Sequence, residues 1–202
     1  MATISSLGDV QRCIKNWQSI LTDETKIMDC FNQGNSIIYE NQYNLSQLGN
    51  NTAIHVYPGV DNDGTFYMFL IPAALDVPNT SSIAFNSITV CKVQPNLGDS
   101  NQIPAQEAIL RIDTWKKDYP KWTKNQIEKR SLTGGMFEAF HMPASYMIQG
   151  DRYITFLGLQ TDVSAATGFN ADLITTDIKY ANVYYDTAMP VPPFSPVNFN
   201  LL

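Results

Sequence analysis

The chain has little charge, little histidine and no long apolar run. Only 16% of its 202 residues are charged, where an average soluble domain has about 25%. Its longest apolar stretch, residues 66–75, is about ten residues long, half of the roughly 20 needed to cross a bilayer. No membrane partner is therefore expected. Three widely spaced cysteines, Cys13, Cys30 and Cys91, contain no CxxC pair, which excludes a disulfide framework and a zinc site by spacing. They read as small buried hydrophobes in a reducing compartment. Gly and Pro, at 11 each, are too few for a fibrous or low-complexity protein. No GxGxxG occurs, and Gly134-Gly135 is not followed by GK[ST], so a phosphate-cradling nucleotide loop is not expected. The N-terminus, MATISSLGDVQRCIKNW, shows no basic segment followed by an apolar one, the signature of a secretory leader. The expected location is cytoplasmic, with no cofactor and no metal.

What fills the space is neutral polarity and aromatic bulk. Hydrophobic residues make up 44% of the chain and aromatics 11%, and there are 17 Asn. That is too hydrophobic for disorder. The net charge of −6 argues against general nucleic-acid binding.

Two segments repeat an order of events. Residues 10–19, 36–48, 53–60 and 66–76 are followed by 108–118, 135–148, 152–159 and 171–178 in the same sequence of patterns. Trp17 matches Trp115 at an offset of 98; Leu48 matches Met147, Tyr57 matches Phe156 and Gly59 matches Gly158 at 99. After the hairpin the offset grows to about 103. Each unit opens with an amphipathic helix: Val10, Ile14, Trp17 and Leu21 in one, Ala108, Ile112, Trp115 and Tyr119 in the other, spaced to share one helical face. Pro104 suits the first turn of the second helix, and Pro120 is expected to end or kink it. An irregular stretch, a short strand and a short helical turn follow. Then comes a hairpin, closed in the first unit by Asp61-Asn62-Asp63-Gly64, a strong turn signal. Each unit ends in an alternating strand, at residues 82–93 and 180–188. The expected organisation is a first α+β unit over 1–96, a linker over 97–103, a second α+β unit over 104–189, and a Pro-rich, extended tail over 190–202. The fold class is α+β: two antiparallel sheets, each with a packed helix, forming a pseudo-dimer.

The chemistry-bearing residues are few. His141 lies near Ser145 and Tyr146 in sequence, and Asp151 and Arg152 follow closely. His141, Tyr146, Asp151 and Arg152 are the weak catalytic candidates for an enzyme acting on a polar small molecule between the units, provided they converge. His55 ranks below His141. The Asp61–Gly64 run fails the calcium-loop pattern, with Gly fourth and Pro72 at position twelve. Asp76, Asp151, Asp162, Asp172 and Asp177 read as turn and cap residues. Six cations, Lys116, Lys117, Lys121, Lys124, Lys129 and Arg130, crowd the second helix among Trp115, Tyr119 and Trp122. They fit a solvated face, an acidic protein partner or, less well, a phosphate backbone. Residues 1–100 hold 4 basic and 9 acidic groups, whereas 101–202 hold 9 and 10. The tail carries Phe194, Val197, Phe199, Leu201 and Leu202, much apolar surface to leave in water; it is expected to dock on its own domain or on another chain.

The pattern of Trp115, Arg152, Phe156, Gly158, Leu159, Asp186 and Pro192-Pro193 resembles a family of small, uncharacterised proteins common in Bacteroidota genomes. The resemblance covers about 90 residues of the second half and implies no activity. Taken together, the residues favour a non-enzymatic interaction or structural module. Its expected contacts are a protein partner or self-association through Lys116, Lys117, Lys121, Lys124, Phe194 and Phe199. The alternatives are the enzyme above and a phosphate-backbone binder.

Overall fold

The computed structural model describes residues 4–48, 52–77, 83–94, 106–179, 184–185, 189–192 and 199–202. Helix α1 (Leu7–Ile20) starts where the Ser6 hydroxyl accepts from Asp9 N–H, and it buries Val10, Cys13, Ile14 and Trp17 along one face. The following stretch, irregular by its sequence pattern, is a second helix, α2 (Glu24–Phe31), capped by Asp23 and burying Ile27, Cys30 and Phe31. That i, i+3, i+4 spacing is short enough to escape a periodicity argument. Strand β1 (Ser36–Glu40) and the single turn α3 (Leu45–Leu48) lead into the hairpin β2 (Ala53–Val60) and β3 (Phe66–Pro72). The Asp61 carboxylate closes this hairpin by accepting from Asp63 and Thr65 N–H, which accounts for the residues that mimic a calcium loop. The strand expected after it is mostly not one: Phe85–Ser87 forms a 3-10 turn, and only Thr89–Lys92 pairs, as β4.

Helix α4 (Gln106–Glu128) continues through Pro120 rather than ending there. Proline removes an N–H and crowds the carbonyl four residues back. Here Pro120 and Lys116 are both exposed, so water can take the carbonyl that the helix releases. Pro104 lies outside the described residues. The short α5 (Arg130–Thr133) ends at Gly134, whose φ of 81° is the left-handed stop that glycine allows. Then come β5 (Ala139–Pro143), a turn rather than a helix at residues 144–148, β6 (Arg152–Thr161), β7 (Phe169–Asp177), β8 (Tyr184–Tyr185) and β9 (Met189–Val191). The start of the Pro-rich tail is thus an edge strand.

The protein is α+β with two antiparallel sheets, ordered β1-β6-β7-β8 and β4-β3-β2-β5-β9. Each sheet includes a strand from the other half of the chain: β1 pairs with β6, and β5 pairs with β2. In the hairpins Gly59 faces Tyr67 and Gly158 faces Asp172. The matching positions on the return strands are therefore 105 apart, not about 103, because the second hairpin loop is longer.

The inner faces of the two sheets share one core. Ile54, Val56, Met68 and Leu70 of one sheet pack with Tyr39, Tyr153, Leu157 and Leu173 of the other. At one end Trp17, Phe31, Phe66, Trp115, Trp122 and Phe137 join this core as a contiguous aromatic cluster. The outer face of the five-stranded sheet packs against α1 through Tyr57, Phe69, Val10, Cys13 and Ile14. The outer face of the four-stranded sheet packs against α4 through Phe156, Ile174, Ala108 and Ile112. Both crossings occur at a glycine. A Cβ on Gly59 would stand 3.0 Å from Cys13 Cβ, and one on Gly158 would stand 3.4 Å from Arg111 Cβ.

Candidate functional site

The four catalytic candidates do not gather around His141. Tyr146 lies in the turn after β5 with its ring stacked on Tyr185, centroids 3.4 Å apart, and burial pushes its phenol pKa up. Asp151 forms an ion pair with Lys179. Arg152, exposed, opens β6 opposite Glu40. No contact among the described residues joins His141 to any of the three.

The cationic helix is a surface. Lys116, Lys117, Lys121 and Lys124 are all exposed. Lys116 pairs with Asp113 at 3.1 Å and Lys124 with Glu128 at 3.9 Å, weak exposed contacts. Among the described residues Lys117 and Lys121, one turn apart, have no ion-pair partner. The aromatics between them are turned inward. Trp115 is 1% exposed and Trp122 2%, and Tyr119 donates to Asn32 Oδ1. A base-stacking platform would need those rings outside.

One further carboxylate read as a turn residue is instead a pairing group. Asp172 is buried and binds Arg111 at 2.8 Å, while Glu107 takes the other end of the guanidinium at 2.5 Å. Asp162 does cap its turn, accepting from Ser164 N–H.

A buried polar cluster lies on the outer face of the five-stranded sheet, and its centre is His55. Its Nδ1 is 2.7 Å from Asp76 Oδ2, and both side chains are fully buried. The Tyr57 hydroxyl donates to the same carboxylate oxygen. Asn200 N–H reaches the other oxygen at 3.3 Å, and Leu201 N–H reaches the Tyr57 oxygen. Burial first, then the Asp76 charge, raises the Tyr57 pKa, so the phenol stays a donor. Phe199 lies flat on the His55 ring, centroids 4.0 Å apart, and is itself buried. The chain end therefore docks on its own domain at Phe199; Phe194 lies outside the described residues. His141 is the cross-strand partner of His55, with ring centroids 5.5 Å apart. Burial, then the neighbouring imidazole, lowers the His141 pKa. The His55 Nε2 is buried without a hydrogen-bond partner among the described residues.

Sequence reasoning put His55 below His141 and read Asp76 as a turn residue. One signal could have joined them. The hairpin register that pairs Ile54 with Pro72 brings residues just past β3 back over the start of β2.

Between the halves a cleft of about 260 Å³ is lined by Gln18, Leu21 and Thr22 on one side and Arg130, Met136 and Glu138 on the other. Gln18 donates to Glu138 across it at 3.3 Å.

No family model matches the chain, and it has no match among the curated proteins or the solved structures. No helix among the described residues is long and apolar enough to cross a membrane, and among those residues no group of three or more His, Cys, Asp or Glu could hold a metal ion.

Proposed function

We propose that the protein is a non-enzymatic interaction module that self-associates or binds an acidic protein surface through the exposed face of α4. The observation that carries this reading is the pair Lys117 and Lys121, two exposed cations on one helix face that have no ion-pair partner among the described residues. Leu110, 63% exposed, extends the same stripe at helical spacing. Unpaired charge on a rigid element steers association, and the acid-rich first half of a second copy supplies a complementary surface. Free, buried thiols at Cys13, Cys30 and Cys91 suit a reducing, cytoplasmic setting.

This reading includes a pseudo-dimeric build of two similar units, each sheet completed by a strand of the other unit. The glycine-seated helix crossings at matched positions support it. Arg152, Phe156, Gly158 and Leu159 share β6, which supports kinship with the Bacteroidota small-protein family.

The test is light scattering of the full chain and of Lys117→Glu/Lys121→Glu at low and high salt. Self-association that weakens with salt and is lost in the double variant supports the reading. A monomer at all salt concentrations, with no binding to polyglutamate, sinks it. A salt-dependent gel shift with DNA would favour the phosphate-backbone alternative instead.

The cleft holding Arg130 and Glu138 favours a second reading, binding of a zwitterionic small molecule between the units. Isothermal titration with an amino-acid panel checks it, and silence across the panel removes it.

A further inference from the structure

The geometry points to a binding site for a borderline divalent transition ion, such as Zn²⁺, Ni²⁺ or Cu²⁺, between His55 and His141 on the outer face of the five-stranded sheet. Three observations carry it. First, the two imidazoles are directly opposite one another on β2 and β5, with ring centroids 5.5 Å apart and planes tilted by 54°. Two imidazoles bound to one ion through nitrogens at about 2.0–2.1 Å, in tetrahedral geometry, hold their ring centres about 5 Å apart. Second, the His55 Nε2 is buried and has no hydrogen-bond partner among the described residues. A buried unpaired nitrogen is costly, and coordination would satisfy it. Third, the far side of the ring is already built as an outer coordination shell. Asp76 takes the Nδ1–H at 2.7 Å, and that carboxylate acts only as an acceptor, because Tyr57 O–H and Asn200 N–H also donate to it. Fixing Nδ1 as the donor leaves the Nε2 lone pair free, which is how carboxylates orient metal-binding histidines.

The C-terminal segment completes the arrangement. Phe199 stacked on His55 holds the ring plane, while His141 is only part-buried and gives the route from solvent. Two protein nitrogens leave the ion's remaining positions to water, which reaches it from the part-buried His141 side. Imidazole ligands select Zn²⁺, Ni²⁺ and Cu²⁺ over the hard ions Mg²⁺ and Ca²⁺. This inference is independent of the interaction surface on α4.

The experiment titrates ZnCl₂, NiCl₂ and MgCl₂ into the metal-free full chain. It follows thermal unfolding and calorimetric binding, with Cu²⁺ electron paramagnetic resonance to count coordinated nitrogens. The wild type should gain melting temperature with Zn²⁺ and Ni²⁺ but not with Mg²⁺, and the Cu²⁺ spectrum should report two imidazole nitrogens. His141→Gln, at the part-buried member, should fold and bind at least tenfold more weakly. Phe199→Ala frees the His55 ring while keeping both ligands, so it should weaken binding less than His141→Gln does. Absence of binding in the wild type, or undiminished binding in His141→Gln, would overturn the proposal. Should His55→Gln fail to fold, His141→Gln still decides the matter.

Discussion

Two helices meet two sheets in this protein at matched places, and they are held there by different physics. Helix α1 crosses β2 at Gly59 with Cys13 beneath it, in an apolar seat formed with Tyr57, Phe69 and Ile14. Its polar anchors are neutral: Asn16 donates to the Val60 carbonyl at 2.9 Å, and the buried Trp17 Nε1 donates to the Phe137 carbonyl at 3.0 Å. Helix α4 crosses β6 at Gly158 with Arg111 in the place of Cys13, and that guanidinium binds Asp172 and Glu107. The difference shows how one docking geometry tolerates opposite chemistries. A sheet needs only a residue without a Cβ where the helix comes close. What lies beside that residue can be a thiol or a compensated ion pair.

The comparison predicts unequal consequences. Arg111→Ala removes the guanidinium from the buried Asp172 carboxylate, so it should cost about 3–5 kcal/mol, while the double change Arg111→Met/Asp172→Leu should recover most of that loss. Cys13→Ala, the matching truncation in α1, should cost only about 1 kcal/mol. Urea unfolding of the variants decides it; equal losses would mean that the two seats are energetically alike.

The glycines should rank the other way. A Cβ at Gly59 would lie 2.5 Å from the Phe69 ring and 3.1 Å from the Cys13 backbone carbon, whereas at Gly158 the tightest neighbour is the flexible end of Ile174, at 2.8 Å. Overpacking costs about 1–3 kcal/mol, so Gly59→Ala should fall at the top of that range and Gly158→Ala near the bottom. The same unfolding curves measure both.

All three thiols belong to the first half. Burial pushes Cys30 and Cys91 up to about 12 and Cys13 up to about 11, from an ordinary value of 9.0. A group whose folded pKa is raised contributes stability that is complete below the unfolded value and is lost as pH climbs toward the folded one. Stability should therefore decline from about pH 9 to about pH 12, and Cys91→Ala should make that decline shallower, as followed by circular dichroism. An unchanged slope in Cys91→Ala would deny the thiol its part. The smallest effect belongs to the exposed face of α4. Lys117→Glu/Lys121→Glu should change unfolding free energy by no more than about 0.5 kcal/mol per site, even where it abolishes association.

Much of the local structure was legible in the chain. The two amphipathic helices, the Asp-Gly hairpin and the paired glycines follow from periodicity and turn chemistry, which act over a few residues. Helix α2 was missed because two turns give too few repeats. The strand expected around residue 85 became a 3-10 turn, because alternation alone does not supply a partner strand. Of the candidate site, His141 was seen, but its company was not. Its neighbour is His55, 86 positions away, and not Tyr146, Asp151 or Arg152, which are near it in sequence.

The sequence by itself determined that the chain buries a core, that its charge is scarce with six of its cations crowded into residues 116–130, and that the two halves share a pattern. These are properties of composition and short spacing. Only the tertiary structure decided that β1 and β5 pair with strands of the opposite half, that Asp76 faces His55 rather than capping a turn, and that Phe199 folds back to cover them. Each of these contacts joins residues far apart along the chain. Their partners are selected by the packing of whole faces, which no local pattern encodes.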